Sequence, residues 1–342
     1  MSTLPTSDPG AFIEPTDSEG GLIFAVRLPG DAEQFRSRLG WDELAAEADP
    51  RPIWINLDRT REGARRWLLE SSGVEPAIAQ GLLDEETRPR VHEADDGMLV
   101  ILRGVNLNPG AEPDELIAVR MWVDERRVIT LRQFRFRTLA ELRAAAQAGR
   151  APETPGGVLA RIAAGLAARL GPSVDNLQTL LDELEATMLE SDDDVPGMRG
   201  RLAEIRRQAI TLRRHLVPQR QAMQELTLMD HPVLARADLA LLRNAAEQIA
   251  RTVDALEEVR DRAAVTQDEL RARHEARIGR TLYLLTIVAT IALPLGLITG
   301  LLGINVGGIP LADSAAGFAV VCGIMALIAV GEIALFRRLR IL

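Results

Sequence analysis

The sequence predicts an α+β membrane protein: an N-terminal cytoplasmic α/β/α domain, then helices, then a very long stalk helix continuing into the first of two transmembrane helices. Three observations carry this. Strand-like and helical segments alternate from Gly21 to about Arg132. Strand signals vanish from Leu139 onward, leaving helical periodicity alone. Finally, Thr281–Ala312 and Ser314–Gly331 contain no Asp, Glu, Lys, Arg or His, although the chain as a whole is 26% charged.

In order, "MSTLPTSDPGAFIEPTDSEG" has no basic n-region and no apolar core, so 1–20 reads as a disordered lead-in and not a signal peptide. "GLIFAVRL" (21–28), "PIWINLD" (52–58), "GMLVILRGVNL" (97–107), "ELIAVRMWVD" (115–124) and "RVITLRQF" (127–134) are rich in Val, Ile and aromatics between Gly, Pro, Asn and Asp. The last two flank "ERR", which suggests a hairpin. Arg61–Ser71 and Pro76–Asp84 have helical patterning, completing an α/β domain over 21–150. A helical part follows over 151–232. Its helices are expected at Pro155–Leu170, Ser173–Ser191 and Gly197–Met229, with breaks at "GPS" and "DDDVPG" and with Ser173 and Asp230 as N-caps.

Beyond Pro232 the next proline is Pro294. Leu239, Leu242, Ala246, Ile249, Val253 and Leu256 alternate steps of three and four. The period continues through Ala263 and Leu270, with Arg260 and Gln267 in two slots. One helix over 233–302 is expected, roughly 100 Å long at 1.5 Å per residue. That is too long for a compact domain, and the heptad pattern points to an oligomer.

Thr281–Leu302 supplies about 22 uncharged residues, roughly 33 Å of helix, enough to span a bilayer core. A second span is expected over 315–336, with Glu332 near its end. Glu332 reads either as a snorkelling carboxylate or as a proton-coupling group. Arg271, Arg273, Arg277 and Arg280 precede the first span, and a basic tail (337–342) follows the second. The connecting loop, 303–314, has no basic residue. The positive-inside rule puts both termini in the cytoplasm and that loop outside. Two spans cannot enclose a pore alone, so conduction requires several copies around an axis.

Composition excludes several functions. All 40 basic residues are arginine, so there is neither a P-loop lysine for ATP nor a Schiff-base lysine, and no hydrolytic motor is visible. The net charge of −9 argues against nucleic acid as a partner. Cys322 is the only cysteine, and the four histidines show no HxxxH or HExxH spacing. The chain reads as a non-enzyme without a resident cofactor.

"LTIVATIALPLGLITGLLGINVGGIP" (285–310), with Pro in the span, small residues after it and a terminal Gly-x-Asn, resembles the CorA-type divalent-cation transporters. "VGGIP" and "RPRVHEADDGMLVILRGV" (88–105) look like the ZntB zinc-transporter branch. CorA proper has Gly-Met-Asn where this chain has Gly303-Ile304-Asn305. The resemblance implies a funnel-shaped homopentamer in a prokaryotic-type inner membrane, whose partners are its own copies, the lipid bilayer and the divalent ions. The expected cargo is Zn2+, with Mg2+, Co2+, Ni2+ and Cd2+ as alternatives. A Mg2+/Co2+ channel of the same architecture and a membrane-tethered scaffold are the other two readings.

The same resemblance assigns residues. Gly303, Ile304 and Asn305 form the ion filter, Asn305 touching the hydrated ion through neutral amide oxygens. A glycine cap followed by a turn is the alternative. Leu282, Leu285, Leu293 and Gly296 would line the pore and gate it by dewetting. Plain helix packing explains the leucines equally, and Gly296–Gly300 is also a close-approach motif. Asp268 would draw cations into the stalk, or be a solvated surface charge. His274 and Glu275 form a weak ligand pair, since neighbours on a helix point about 100° apart.

Overall fold

The structure, a computed structural model, describes residues 19–28, 39–45, 49–190, 197–304 and 316–338. Most of the expected lead-in, Asn305 and nearly all of the loop between the spans lie outside the described residues. The chain divides into two compact units, Met1–Gln267 and Asp268–Leu342.

In the first unit a 3-10 turn (Glu19–Gly21) leads into β1 (Leu22–Arg27), α1 (Trp41–Ala45), β2 (Ile53–Asp58), α2 (Glu62–Glu70) and α3 (Pro76–Leu83). Then come β3 (Arg90–Ala94), β4 (Gly97–Val105), β5 (Leu116–Asp124), β6 (Arg127–Arg132) and α4 (Arg137–Gln147). The strands form one sheet in the order β1-β2-β6-β5-β4-β3. Only the β2–β6 pair is parallel. Five of the six strands coincide with the expected ones. β3 is additional: it is an edge strand whose residues are mostly half-exposed or exposed, so it lacks the apolar run that marks the others.

β2, β4, β5 and β6 are buried on both faces, which requires helices on each side. Ile55, Leu57, Ile129 and Leu131 pack with Ala64 and Leu68 of α2 and with Ile78 and Leu82 of α3. On the opposite face Trp54 meets Phe24 edge-on at 4.8 Å, and the guanidinium of Arg143 in α4 lies 5.1 Å over the Phe24 ring. Each such buried side chain contributes about 1.5–3 kcal/mol. The α/β/α arrangement is therefore observed.

The helical part continues with α5 (Pro155–Glu190), α6 (Met198–Leu228) and the start of α7 (Arg236–Leu302). Thr154 caps α5, its hydroxyl accepting from Gly157 N at 3.0 Å. The expected break at "GPS" does not occur. Pro172 lies inside α5, removing only the amide that would reach the Ala168 carbonyl, and buried Leu170, Val174 and Leu177 hold the helix on both sides. Ser173 is consequently mid-helix. Nor does Asp230 cap α7, which begins six residues later. Asp238 does that work, its Oδ2 accepting from Ala235 N at 3.1 Å.

The α7 stripe is covered by the same chain. Leu242, Ala246, Ile249, Val253, Leu256 and Ala263 are buried, as expected, and so are Ala245, Thr252, Val259 and Thr266. This stripe is wider than a coiled-coil seam and suits packing against two helices. Arg262 bonds Asp182 and Glu185 of α5, and Thr266 bonds Glu185 at 3.0 Å. Arg213 and Arg220 of α6 reach Glu257 and Asp254 at 3.0 and 3.4 Å. The heptad pattern therefore makes an intrachain bundle and does not by itself call for further copies.

One side chain ties this bundle to the sheet. β3 stops pairing with β4 at Ile101, leaving the outer edge of β4 open at Arg103. The fully buried Gln219 of α6 fills that edge: its Oε1 accepts from Arg103 N at 2.6 Å and its Nε2 donates to Arg103 O at 2.9 Å. Gln219→Leu should lower unfolding stability by roughly 2 kcal/mol, because both peptide groups lose their partner. Urea or thermal unfolding of the detergent-purified protein checks this.

One turn earlier, burial pushes His215 down to about 4, helped by the charges of Arg103 and Arg214. The unfolded chain then binds the proton more readily than the folded one between pH ~6.5 and ~4. Stability should fall as pH drops through that window, by of the order of 1 kcal/mol after screening. Unfolding curves of His215→Gln should be flatter there than those of the wild type.

Candidate ion-conduction site

The second unit comprises residues 268–302 of α7 and α8 (Gly317–Arg338). Both helices are long and apolar enough to cross a membrane, and no part of their most apolar stretches is buried. Leu293 is 71% exposed, Phe318 82% and Leu327 76%. Monomeric soluble proteins do not leave contiguous surfaces of this kind open to water.

Polar side chains ride in α7 because the helix satisfies them itself. The hydroxyls of Thr281, Thr286, Thr290 and Thr299 donate to the carbonyls of Arg277, Leu282, Thr286 and Leu295 at 2.8–3.1 Å. Pro294 lies within the helix and leaves the Thr290 carbonyl without its usual amide donor. In α8, Glu332 is half-buried and its Oε2 has no hydrogen-bond partner among the described residues.

α7 ends at Leu302, and Gly303 closes it, its amide donating to Thr299 O at 2.9 Å and to Gly300 O at 3.2 Å. Gly303 is not in the left-handed conformation that a glycine cap uses. A Cβ at 303 would lie 3.1 Å from Thr299 O, a tight approach that the turn would have to ease by a few tenths of an ångström. Ile304 follows in a bend and is 46% exposed. Asn305 lies outside the described residues.

The helix brings most of the expected residues onto one side. At 100° per residue, Asp268, Leu282, Leu285, Leu293, Gly296 and Gly303 lie within about 50° either side of a common direction. All six are exposed, so neither packing of the leucines against α8 nor close helix approach at Gly296 is realised within the chain. A Cβ at 296 or 300 would meet nothing within 4 Å. His274 and Glu275 diverge by about 100°. Among the described residues no group of three or more His, Cys, Asp or Glu is placed to hold a metal ion. The threonine ladder and the Thr299 contact of Gly303 escaped sequence reasoning. Hydroxyls spaced at 281, 286, 290 and 299 were the available signal.

The arrangement is thus a helix face that runs from a carboxylate through leucines to glycines and ends at Gly303, with Ile304 in the bend that follows. The chain is 35% identical over 326 residues to a protein of Pseudomonas aeruginosa named divalent cation transporter CmaX, covering 94% of this chain and 97% of that one. It is 33% identical over 284 residues to the zinc transport protein ZntB of Pectobacterium carotovorum, covering 83% and 86%. The solved structure of full-length CmaX superposes with a TM-score of 0.81 at 34% identity, covering 95% of this chain and 99% of that one. The CorA magnesium transporter of Methanocaldococcus jannaschii shares the fold, with a TM-score of 0.73 at 20% identity over 92% of this chain and 98% of that one. The family described as CorA-like Mg2+ transporter protein matches over residues 50–338. The chain belongs to that family.

Proposed function

We propose that this protein transports divalent metal cations, with Zn2+ as the cargo, through a central pore built from five copies in an inner membrane. Both termini face the cytoplasm, and the loop carrying Asn305 faces outward. The observation that carries this reading is the uncovered apolar face of α7, which ends at the Gly303 turn. A single chain offers this face no cover and no enclosure, so neighbouring copies must supply both. Relatives named as zinc transport proteins support zinc. The family's magnesium description and the relative named as a divalent cation transporter favour a broader Mg2+/Co2+ channel as the second reading.

The chemistry follows from the ligands. A dication surrenders its hydration shell only to several well-placed oxygens. Neutral amide and carbonyl oxygens at Asn305 and Gly303 hold the hydrated ion loosely enough to release it. Leu282, Leu285 and Leu293 form a dry constriction whose opening admits water with the ion. With no ATP site, flux follows ion or proton gradients.

Proteoliposomes loaded with a metal-sensitive dye test this with Zn2+, Mg2+, Co2+, Ni2+ and Cd2+ in turn. Asn305→Ala should reduce flux by about tenfold, the loss of roughly 1.4 kcal/mol of ion contact. Unchanged flux in that variant would remove Asn305 from the filter. Magnesium flux exceeding zinc flux would favour the second reading, and no flux of any ion would favour a tethered scaffold.

Gly303→Ala places a methyl group against Thr299 O and should lower flux several-fold without changing the particle size in detergent. Light scattering of the purified protein checks the assembly independently. A monomer would rule out the pore.

A further inference from the structure

Asp268, Glu275, Leu282, Ala289, Gly296 and Gly303 are spaced seven residues apart along α7. A straight helix drifts about 20° per heptad, so the six remain within about 50° of one direction over roughly 52 Å. Side-chain size falls along the ladder, from two carboxylates through leucine and alanine to two glycines. One end is the glycine that closes the helix beside the filter; the other is Asp268. Glu275 sits between Asp268 and the gate residue Leu282, one heptad from each. Arg271 shares the face, three residues after Asp268 and four before Glu275.

Most carboxylates near these charges on the same helix are paired, Glu258 being an exception among the described residues. Asp254, Glu257, Asp261 and Glu269 each hold an arginine, at 3.4, 3.0, 2.7 and 2.7 Å. Asp268, Arg271 and Glu275 are exposed and form no ion pair among the described residues, although spacings of three and four would permit intrahelical pairs. The carboxylates on the ladder are therefore left available to a mobile cation, while one off it, Glu269, is neutralised.

We propose that Glu275 lines the conduction path as a second carboxylate ring between Asp268 and Leu282, and that Arg271 limits how tightly the two rings hold the ion. This rests on the pore reading above. In a five-fold assembly two acidic rings lie about 10 Å apart along the axis, each focusing dications toward the constriction. Ten carboxylates without compensation would trap a dication and slow its departure, whereas throughput needs weak, multiple sites. Five guanidinium groups between the rings cancel half of that charge and cannot be titrated away near neutral pH. Glu275 accordingly belongs with Asp268 and not with His274, which faces about 100° away.

The test measures flux against ion concentration in proteoliposomes of the full chain, with Zn2+ or Mg2+ presented on the stalk side. Glu275→Gln should cut flux at sub-saturating ion about five-fold and approach wild-type flux at saturation. Arg271→Gln should raise sub-saturating flux and lower the maximum, and His274→Gln should match the wild type in both. Because Arg271 and Glu275 are exposed and His274 is only half-buried, the variants should retain the wild-type particle size, which light scattering verifies. If the wild type conducts and Glu275→Gln leaves its concentration curve unchanged, the second ring is wrong while the pore stands. If Arg271→Gln leaves both limits unchanged, the compensating role is wrong. A wild type that conducts neither ion overturns the pore and the ring together.

Discussion

Apolar surface that the chain cannot cover is the constraint on which the rest of this structure depends. In the first unit the apolar stripe of α7 is matched by α5 and α6, and the sheet is roofed on both faces, so the exposed large apolar side chains among the described residues there, such as Leu189 and Leu228, are scattered. In the second unit the opposite holds: α7 and α8 expose leucine, isoleucine, valine and phenylalanine along their whole apolar length. Leaving such side chains in water forfeits about 1.5–3 kcal/mol each. In the proposed assembly, lipid and other copies meet that deficit. A solvent-filled path would be the exception and would need a face with different chemistry, the role proposed for the ladder from Asp268 to Gly303.

The two units also divide the electrostatics. Charges in the bundle are mostly paired: Arg262 is held between Asp182 and Glu185, and Arg207 joins Glu204 of its own helix to Asp114 of the β4–β5 connection. The strongest burial of charge is Arg120, which is fully buried and donates to the Asp84 carbonyl at 2.8 Å just past the end of α3. Burial and the charges of Arg59, Arg90 and Arg103 bring its guanidinium down to about 10. This arginine serves the helix end, where carbonyls lack amide donors. On the ladder of α7, by contrast, charge is unpaired and exposed, the condition for acting on a passing ion.

The legibility of these features varied with how local their causes are. Strands buried on both faces announced themselves through continuous Val, Ile and Trp, and the spans through the absence of charge. β3 and α4 were missed because one is an edge strand with polar alternation and the other a short helix beginning directly after a strand. Pro172 looked like a boundary because a proline removes one hydrogen bond. The burial of Leu170, Val174 and Leu177 outweighs that loss, and burial is a property of neighbours distant in sequence. The heptads of α7 were read correctly as an apolar stripe but assigned to other copies, since periodicity says that a face is covered without saying by what.

The sequence by itself determined the membrane segments, the single unbroken helix leading into them and the register that aligns Asp268, Leu282, Gly296 and Gly303, because each follows from composition and from 100° per residue. The tertiary structure decided which surfaces are satisfied. It gave the α7 stripe to α5 and α6 and the open edge of β4 to Gln219, and it set Gly303 close to Thr299 O without a left-handed turn. It also separated the paired charges of α7 from Asp268, Arg271 and Glu275. Pairing and cover depend on what lies within a few ångströms in space, and only the folded chain brings those groups together.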